Sequence, residues 1–239
     1  HASPDKQIGH GCYVGRRKVD CHVRGEAIGA GVTKVPPKLR AGILAVLVAS
    51  GGGDAAYPQI DGETTALLRN QYVQAVAADR GTSEAVKVAM VMGAFYESSY
   101  KHIGTPYVDK LGKGQPLTVC NGITGPQVVQ GRYYTPADCY RLERARYIAG
   151  ERYLKAALPA WDSYTVWVQA TALDFTHNKG AAAFDGSTMR RKLLAGDVVG
   201  ACRENTRWNR GTVNGVSTVL PGLKVRGDAN AEICEGGLQ

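Results

Sequence analysis

Residues 96–124 read YESSYKHIGTPYVDKLGKGQPLTVCNGIT, a run of Gly, Tyr and small polar residues that holds Glu97, Asp109 and Thr118. Its Gly and Pro residues allow only short extended pieces. The segments around Tyr107 and residues 117–119 therefore predict a small antiparallel sheet. The flanks of the run are helical. Upstream, Leu67, Leu68, Tyr72, Val73 and Val76 recur at three- and four-residue spacing. Thr82 and Ser83 then offer N-caps to the apolar helix EAVKVAMVMGAFYE, which ends at Glu97. Downstream, helices are predicted over 136–157, 162–178, 186–195 and 197–207. Asn214-Gly215 and Pro221-Gly222 mark turns before a last helix from about Asp228. The fold class is α+β, mostly helical with one small sheet, and no internal repeat is visible.

The 239-residue chain has an apolar fraction of 44%, enough for a packed core. Its formal charge of +8 is uneven: residues 1–40 hold eight Lys/Arg against three Asp/Glu, a net of +5. Basicity thus belongs to the N-terminal arm. With no nucleic-acid motif beside it, and no aromatic interleaving, no nucleic-acid partner is expected. The anionic partners left by this balance are anionic lipid or the acidic polymers of a bacterial envelope, and the charge says little about the main domain.

The six Cys residues form no CxxC pair, which argues against a zinc ribbon. Their order suggests three sequential loops, Cys12–Cys21, Cys120–Cys139 and Cys202–Cys234, among fifteen pairings open to six Cys. Disulfides imply an oxidising compartment such as a periplasm; buried free thiols in a cytosolic protein are the alternative. His10, Cys12, Cys21 and His22 match no common zinc spacing, so neither a metal nor any other cofactor is expected.

After Arg40 comes AGILAVLVASGGG, an uncharged run over 41–53 that is shorter than the roughly 20 residues of a spanning helix. Three readings compete: a weak export or anchor segment that associates transiently with the inner membrane, a core helix, or a former signal preceded by added sequence. The export reading is placed first. The expected organisation is a basic arm with this segment over 1–56 and a catalytic domain over 57–239, acting as a monomer.

Glycosidic-bond hydrolysis commonly needs two carboxyl groups in contrasting environments. An apolar helix C-terminus disfavours the charged form of Glu97, whereas Asp109 lies in a polar, Gly-rich stretch. Spacing alone leaves open that Glu97 is an ordinary helix-end residue and Asp109 a turn residue.

A resemblance bears on that choice. Glu97, Tyr107-Val108-Asp109, Thr118-Val119-Cys120-Asn121-Gly122 and Thr124 resemble the active-site pattern of the phage lysozymes of glycoside hydrolase family 24. The likeness continues through residues 134–140, 172–180, 200–208 and 220–226, covering roughly residues 60–237. The gaps depart from the family: Glu-x8-Asp-x5-Thr is here Glu-x11-Asp-x8-Thr. Cys120, Cys139 and Cys202, with the run at 41–53, resemble the Cys-containing branch that includes signal-anchor-release endolysins.

The resemblance implies a lysozyme-like fold whose sheet bears the active site. It also implies cleavage of the β-1,4 bond between N-acetylmuramic acid and N-acetylglucosamine of peptidoglycan in the host periplasm, with lysis of the bacterium. Glu97 would be the general acid, Asp109 would stabilise positive charge and hold the attacking water, and Thr118 would position that water. Asn121, Thr124, Asn178 and Arg207 are candidate substrate-binding residues. His177 and Trp208 are further cleft candidates, though Trp208 and Phe175 suit a core equally. A lytic transglycosylase and a non-catalytic wall-binding or phage structural protein remain as alternatives, and a Cys near the site raises redox control as a further expectation.

Overall fold

The computed structural model describes residues 12–14, 17–19, 33–51, 60–109, 114–213 and 215–238. By its contacts the chain divides into two units, residues 1–32 and 33–239. In the first unit, β1 (Cys12–Val14) and β2 (Arg17–Val19) pair antiparallel with Tyr13 opposite Lys18. The expected Cys12–Cys21 bridge, and His10 and His22, lie outside the described residues.

The second unit opens with α1 (Pro37–Ala49), α2 (Gly62–Leu68), α3 (Gln71–Ala78) and α4 (Glu84–Ser98). A sheet of β3 (Tyr107–Val108), β4 (Leu117–Val119) and β5 (Ile123–Thr124) comes next, in the antiparallel order β3-β4-β5. Then come α5 (Pro136–Ala157), α6 (Val166–Lys179), α7 (Ala181–Asp185), α8 (Thr188–Leu194) and α9 (Val198–Arg203). A hairpin of β6 (Arg210–Val213) and β7 (Val216–Val219) leads to α10 (Pro221–Gly236).

Helix α4 is the axis of this unit. Ser83 Oγ caps it by accepting from the Val86 amide at 3.2 Å, and every residue from Ala85 to Ala94 is buried. The apolar side chains bury against α1, α5 and α6. Lys87 is tolerated there because its ammonium donates to the Ala77 carbonyl at 3.0 Å and to Ser50 Oγ at 3.3 Å. It thereby satisfies a carbonyl at the end of α3 and holds the residue that ends α1.

Residues 41–49 of the apolar run that suggested export therefore fold here within a core helix. Leu39, Ile43, Val46 and Leu47 of α1 are at most 2% exposed, and α1 packs on α2, α3 and α4. Hence the division by contacts falls after Val32 rather than after residue 56. Among the described residues no helix is long and apolar enough to cross a membrane. Close approach is set by Gly42: a Cβ there would lie 1.8 Å from the Tyr100 hydroxyl. Gly42→Leu is expected to lower the free energy of unfolding by about 1–3 kcal/mol through overpacking, measured by urea titration. An unchanged midpoint would show that α1 does not dock as described.

The long helix α5 begins with Pro136 in its first turn and a reciprocal capping box. The Thr135 hydroxyl accepts from the Asp138 amide at 3.2 Å, and Asp138 Oδ2 accepts from the Thr135 amide at 3.0 Å. The Thr135 hydroxyl and amide, then Arg141, hold the Asp138 carboxyl down at about 2, against 3.8 for the free group. A depressed carboxyl adds stability that is full above the unfolded value and fades as pH falls through the folded one. Asp138→Ala should accordingly lower the melting temperature at pH 7, with the difference from the parent vanishing as pH drops from about 4 to below 2.

Two expected bridges are present, Cys120–Cys139 tying the β4–β5 turn to α5 and Cys202–Cys234 tying α9 to α10. Elsewhere the prediction needs correction. The last helix starts at Pro221, not near Asp228, because Pro221 serves as a first-turn residue instead of ending a turn. Gly215 lies in the turn between β6 and β7, which pair as a β-hairpin, so more than a simple turn is present; Asn214 lies outside the described residues. A short 3-10 turn, Trp161–Ser163, precedes α6, whose own first residue is Val166.

Candidate active site

Glu97 is the penultimate residue of α4, and the chain turns sharply after it. Ser99 and Tyr100 both take left-handed conformations, φ 53° and 64°, with the Tyr100 amide donating to the Ala94 carbonyl at 3.2 Å. Two successive non-glycine residues in this region represent stored backbone strain beside a carboxylate, the kind of cost that concentrates at functional sites. The turn fixes where Glu97 points. Its Oε1 accepts from Arg226 Nη1 at 2.8 Å, and its side chain stays 32% exposed.

Arg226, from α10, is the hub. It donates from Nε and Nη2 to the two oxygens of Asp174 in α6, at 2.9 and 2.7 Å, while Nη1 serves Glu97. Asn230, one turn along α10, donates to Asp174 at 2.6 Å and accepts from the Tyr96 hydroxyl at 2.8 Å. The Arg226 guanidinium also lies 4.7 Å from the Tyr96 ring centroid. The side chains of Asp174 and Arg226 are only 1% and 8% exposed, so this bidentate pair is buried and Glu97 is its outermost member.

Facing Glu97 is the β4–β5 turn. Glu97 Oε2 lies 4.0 Å from where a Cβ would sit on Gly122, whose φ of +80° also requires glycine. Arg146 of α5 donates to the Gly122 carbonyl at 3.0 Å, pinning the turn. Asp109 directly follows β3, its amide donating to the Pro116 carbonyl at 3.0 Å. Tyr107 records both acids: its phenol is pushed up by partial burial, then by the Asp109 and Glu97 carboxylates. Thr118 sits on β4 between Tyr107 and Thr124, 2% exposed, its hydroxyl donating to the Pro116 carbonyl at 3.1 Å.

The other expected binding residues separate. Asn178, at the end of α6, shares a depression with Lys179, Trp208, Leu223 and Arg226. Thr124 is half-buried on β5 opposite Thr118. Asn121 is turned inward: its amide and Nδ2 donate to Glu143 of α5 at 3.1 Å, and Tyr72 donates to the same carboxyl. Burial pushes the Glu143 carboxyl up, against the pull of these donors. Arg207 is exposed and pairs with Glu204 at 3.4 Å instead of lining the depression that holds Asn178. His177 stacks on Tyr147 at 4.4 Å, and burial, with the Arg146 charge beside it, holds it down at about 3, hence neutral at pH 7.

Arg226 and Asp174 are the residues that sequence reasoning left unassigned. The signal was present as Asp174 between the apolar Leu173 and Phe175 of α6, since a carboxylate on a buried face requires a cation. A cavity of about 270 Å³ lies instead beside the Cys120–Cys139 bridge, lined by Tyr72, Tyr100, His102, Asn121 and Glu143. Cys120, Cys139 and Glu143 are grouped closely enough to hold a metal ion, but the disulfide occupies both sulfurs.

Comparison with known proteins bears on the family and the fold. The sequence profile of the family described as phage lysozyme matches residues 102–230. A SAR-endolysin of Bacteriophage PS119 is 30% identical over 177 residues, which is 72% of this chain and 96% of that protein. Among solved structures, the endolysin from Escherichia coli O157:H7 phage FAHEc1 superposes with a TM-score of 0.55 at 20% identity, covering 66% of this chain and 95% of that one. The active form of the P1 phage endolysin Lyz gives 0.53 at 15% identity, covering 83% and 95%.

Proposed function

The chain belongs to the phage lysozyme family of cell-wall-degrading endolysins, and from that premise we propose that it is a muramidase. It hydrolyses the β-1,4 bond between N-acetylmuramic acid and N-acetylglucosamine of peptidoglycan, lysing its host. The observation that carries this reading is the placement of Glu97: a partly exposed carboxyl at a strained helix end, fixed by Arg226 and facing the Gly122 turn.

In the proposed mechanism Glu97, in its protonated form, gives its proton to the glycosidic oxygen as the bond breaks. The Asp109 carboxylate offsets the positive charge that grows at the anomeric carbon. A water activated near Asp109 then attacks, with Thr118, on the central strand β4, helping to position it. Asp174 and Asn230 touch no substrate in this scheme; they hold the Arg226 guanidinium so that Glu97 keeps one orientation.

The SAR-endolysin relatives support export to the periplasm, with residues 41–53 as the tethering segment before α1 takes its place in the core. Two disulfides in the described residues fit an oxidising compartment. Incubation of the purified protein with sacculi tests the catalytic reading: new reducing ends should accumulate with time. Binding to sacculi without their release would leave a wall-binding protein on a lysozyme fold.

A further inference from the structure

One face of α5 holds the β4–β5 turn residue by residue. Cys139, Glu143 and Arg146 follow one another at four- and three-residue spacing, so they share a face of the helix. Cys139 is bonded to Cys120, Glu143 accepts from the amide of Asn121, and Arg146 donates to the carbonyl of Gly122 at 3.0 Å. Three consecutive turn residues thus meet three successive positions of one helix face. Glu143, 1% exposed, is the central contact. Its Oε1 accepts from the Asn121 amide at 3.1 Å, both its oxygens accept from Asn121 Nδ2 at 3.1 Å, and the Tyr72 hydroxyl donates to Oε2. Burying a carboxyl is costly beside burying an apolar side chain of its size, so these bonds, not packing, account for its presence.

The space beside the turn is not filled. Cys120, Asn121, Cys139 and Glu143 border the cavity of about 270 Å³, so packing alone does not fix the turn on that side. Asn121 also lies between two left-handed residues, Cys120 at φ 57° and Gly122 at φ 80°. A non-glycine residue keeps such a conformation only where its surroundings over-determine it. Gly122 of this turn faces the proposed acid, Glu97 Oε2 lying 4.0 Å from the place of its Cβ. Burial pushes the Glu143 carboxyl up and the Glu97 charge adds to that rise, so the two acids lie within electrostatic reach.

We propose that Glu143 and Arg146 are positioning residues for glycan cleavage: through Asn121 and Gly122 they hold the turn at the distance from Glu97 that the scissile bond requires. Neither needs to touch the glycan. The proposal rests on the reading of Glu97 as the acid.

Steady-state cleavage of soluble glycan strands tests it, with reducing and anhydro ends counted together so that hydrolase and transglycosylase chemistry both register. Glu143→Leu removes the acceptor and is expected to lower kcat about 10²-fold, the cost of a small misplacement at a reacting centre, with KM little changed. Glu143→Gln keeps an oxygen for the Asn121 amides and offers an N–H to the Tyr72 oxygen, so kcat should return to within about threefold of the parent. Arg146 is exposed, so Arg146→Met should fold normally and lower kcat about fivefold, the worth of one hydrogen bond. In the Glu97→Gln background the loss from Glu143→Leu should shrink, because residues that act as a unit are not additive.

A folded Glu143→Leu protein with the parent's kcat would overturn the proposal, as would Glu143→Gln no better than Glu143→Leu. So would an undiminished loss in the Glu97→Gln background, which would mark a general loosening of the fold. If Glu143→Leu does not fold, Arg146→Met decides, and the parent's kcat there overturns the proposal. A parent protein that cleaves no strand would end the muramidase reading and this proposal with it, whereas an active parent with indifferent variants ends this proposal alone.

Discussion

Glu97→Gln should reduce release of reducing ends by between about 10² and 10⁴-fold, the usual worth of a positioned general acid. The substitution keeps shape and one acceptor oxygen for Arg226 Nη1, which now donates at 2.8 Å. Since Asp174 retains both its bonds to Arg226, the buried pair survives. Stability should therefore shift by no more than about 1 kcal/mol, the net worth of a typical hydrogen bond. The two readouts must separate, with activity gone and the unfolding midpoint nearly unmoved. A folded and fully active Glu97→Gln protein would remove Glu97 from the chemistry.

Arg226→Met has the second large expected effect, and it acts through both stability and catalysis. It leaves the Asp174 carboxylate, whose side chain is 1% exposed, with the Asn230 amide as its remaining side-chain donor among the described residues. Breaking a buried pair by removing one partner costs about 3–5 kcal/mol, because the surviving charge stays desolvated. Activity should fall even where the protein remains folded, since Glu97 loses the contact that orients it. Combining Arg226→Met with Asp174→Asn separates these effects: it removes the buried charge, and much of the lost stability should return while activity does not. Recovery of activity along with stability would show that Arg226 serves the fold alone. Arg226→Lys should not substitute, because one ammonium cannot reproduce a fork shared between two carboxylates.

The contrast between these residues shows how far the sequence could be read. The position of Glu97 at a helix end was legible because an apolar helical run, a Ser83 cap and a succeeding Gly/Pro-rich stretch are local signals, and all three lie within about twenty residues. The sheet and the ends of α5 were legible for the same reason. The partner of Glu97 was not, since Arg226 lies 129 positions away and only the packing of α10 on α6 brings it near. Asn121 was expected to face substrate, but a buried Glu143 on α5 draws both its amides inward. No local pattern predicts that contact.

Segment 41–53 illustrates another limit. Its composition suits a membrane and a protein core equally well, because both reward apolar surface without charge. In the folded chain Gly42 against Tyr100, with Lys87 holding the helix end, makes residues 41–49 part of a core helix. Pro221 is ambiguous for a related reason: Pro both ends turns and opens helices, and only the packing of the residues after it decides between the two.

The most direct test of the central claim is the chemistry of the glycan ends. Sacculi digested in ¹⁸O-labelled water should yield muropeptides with reducing N-acetylmuramic acid ends that carry one heavy oxygen, and Glu97→Gln should yield none. Unlabelled 1,6-anhydro ends would contradict the account, because they require the sugar's own hydroxyl as nucleophile in place of water.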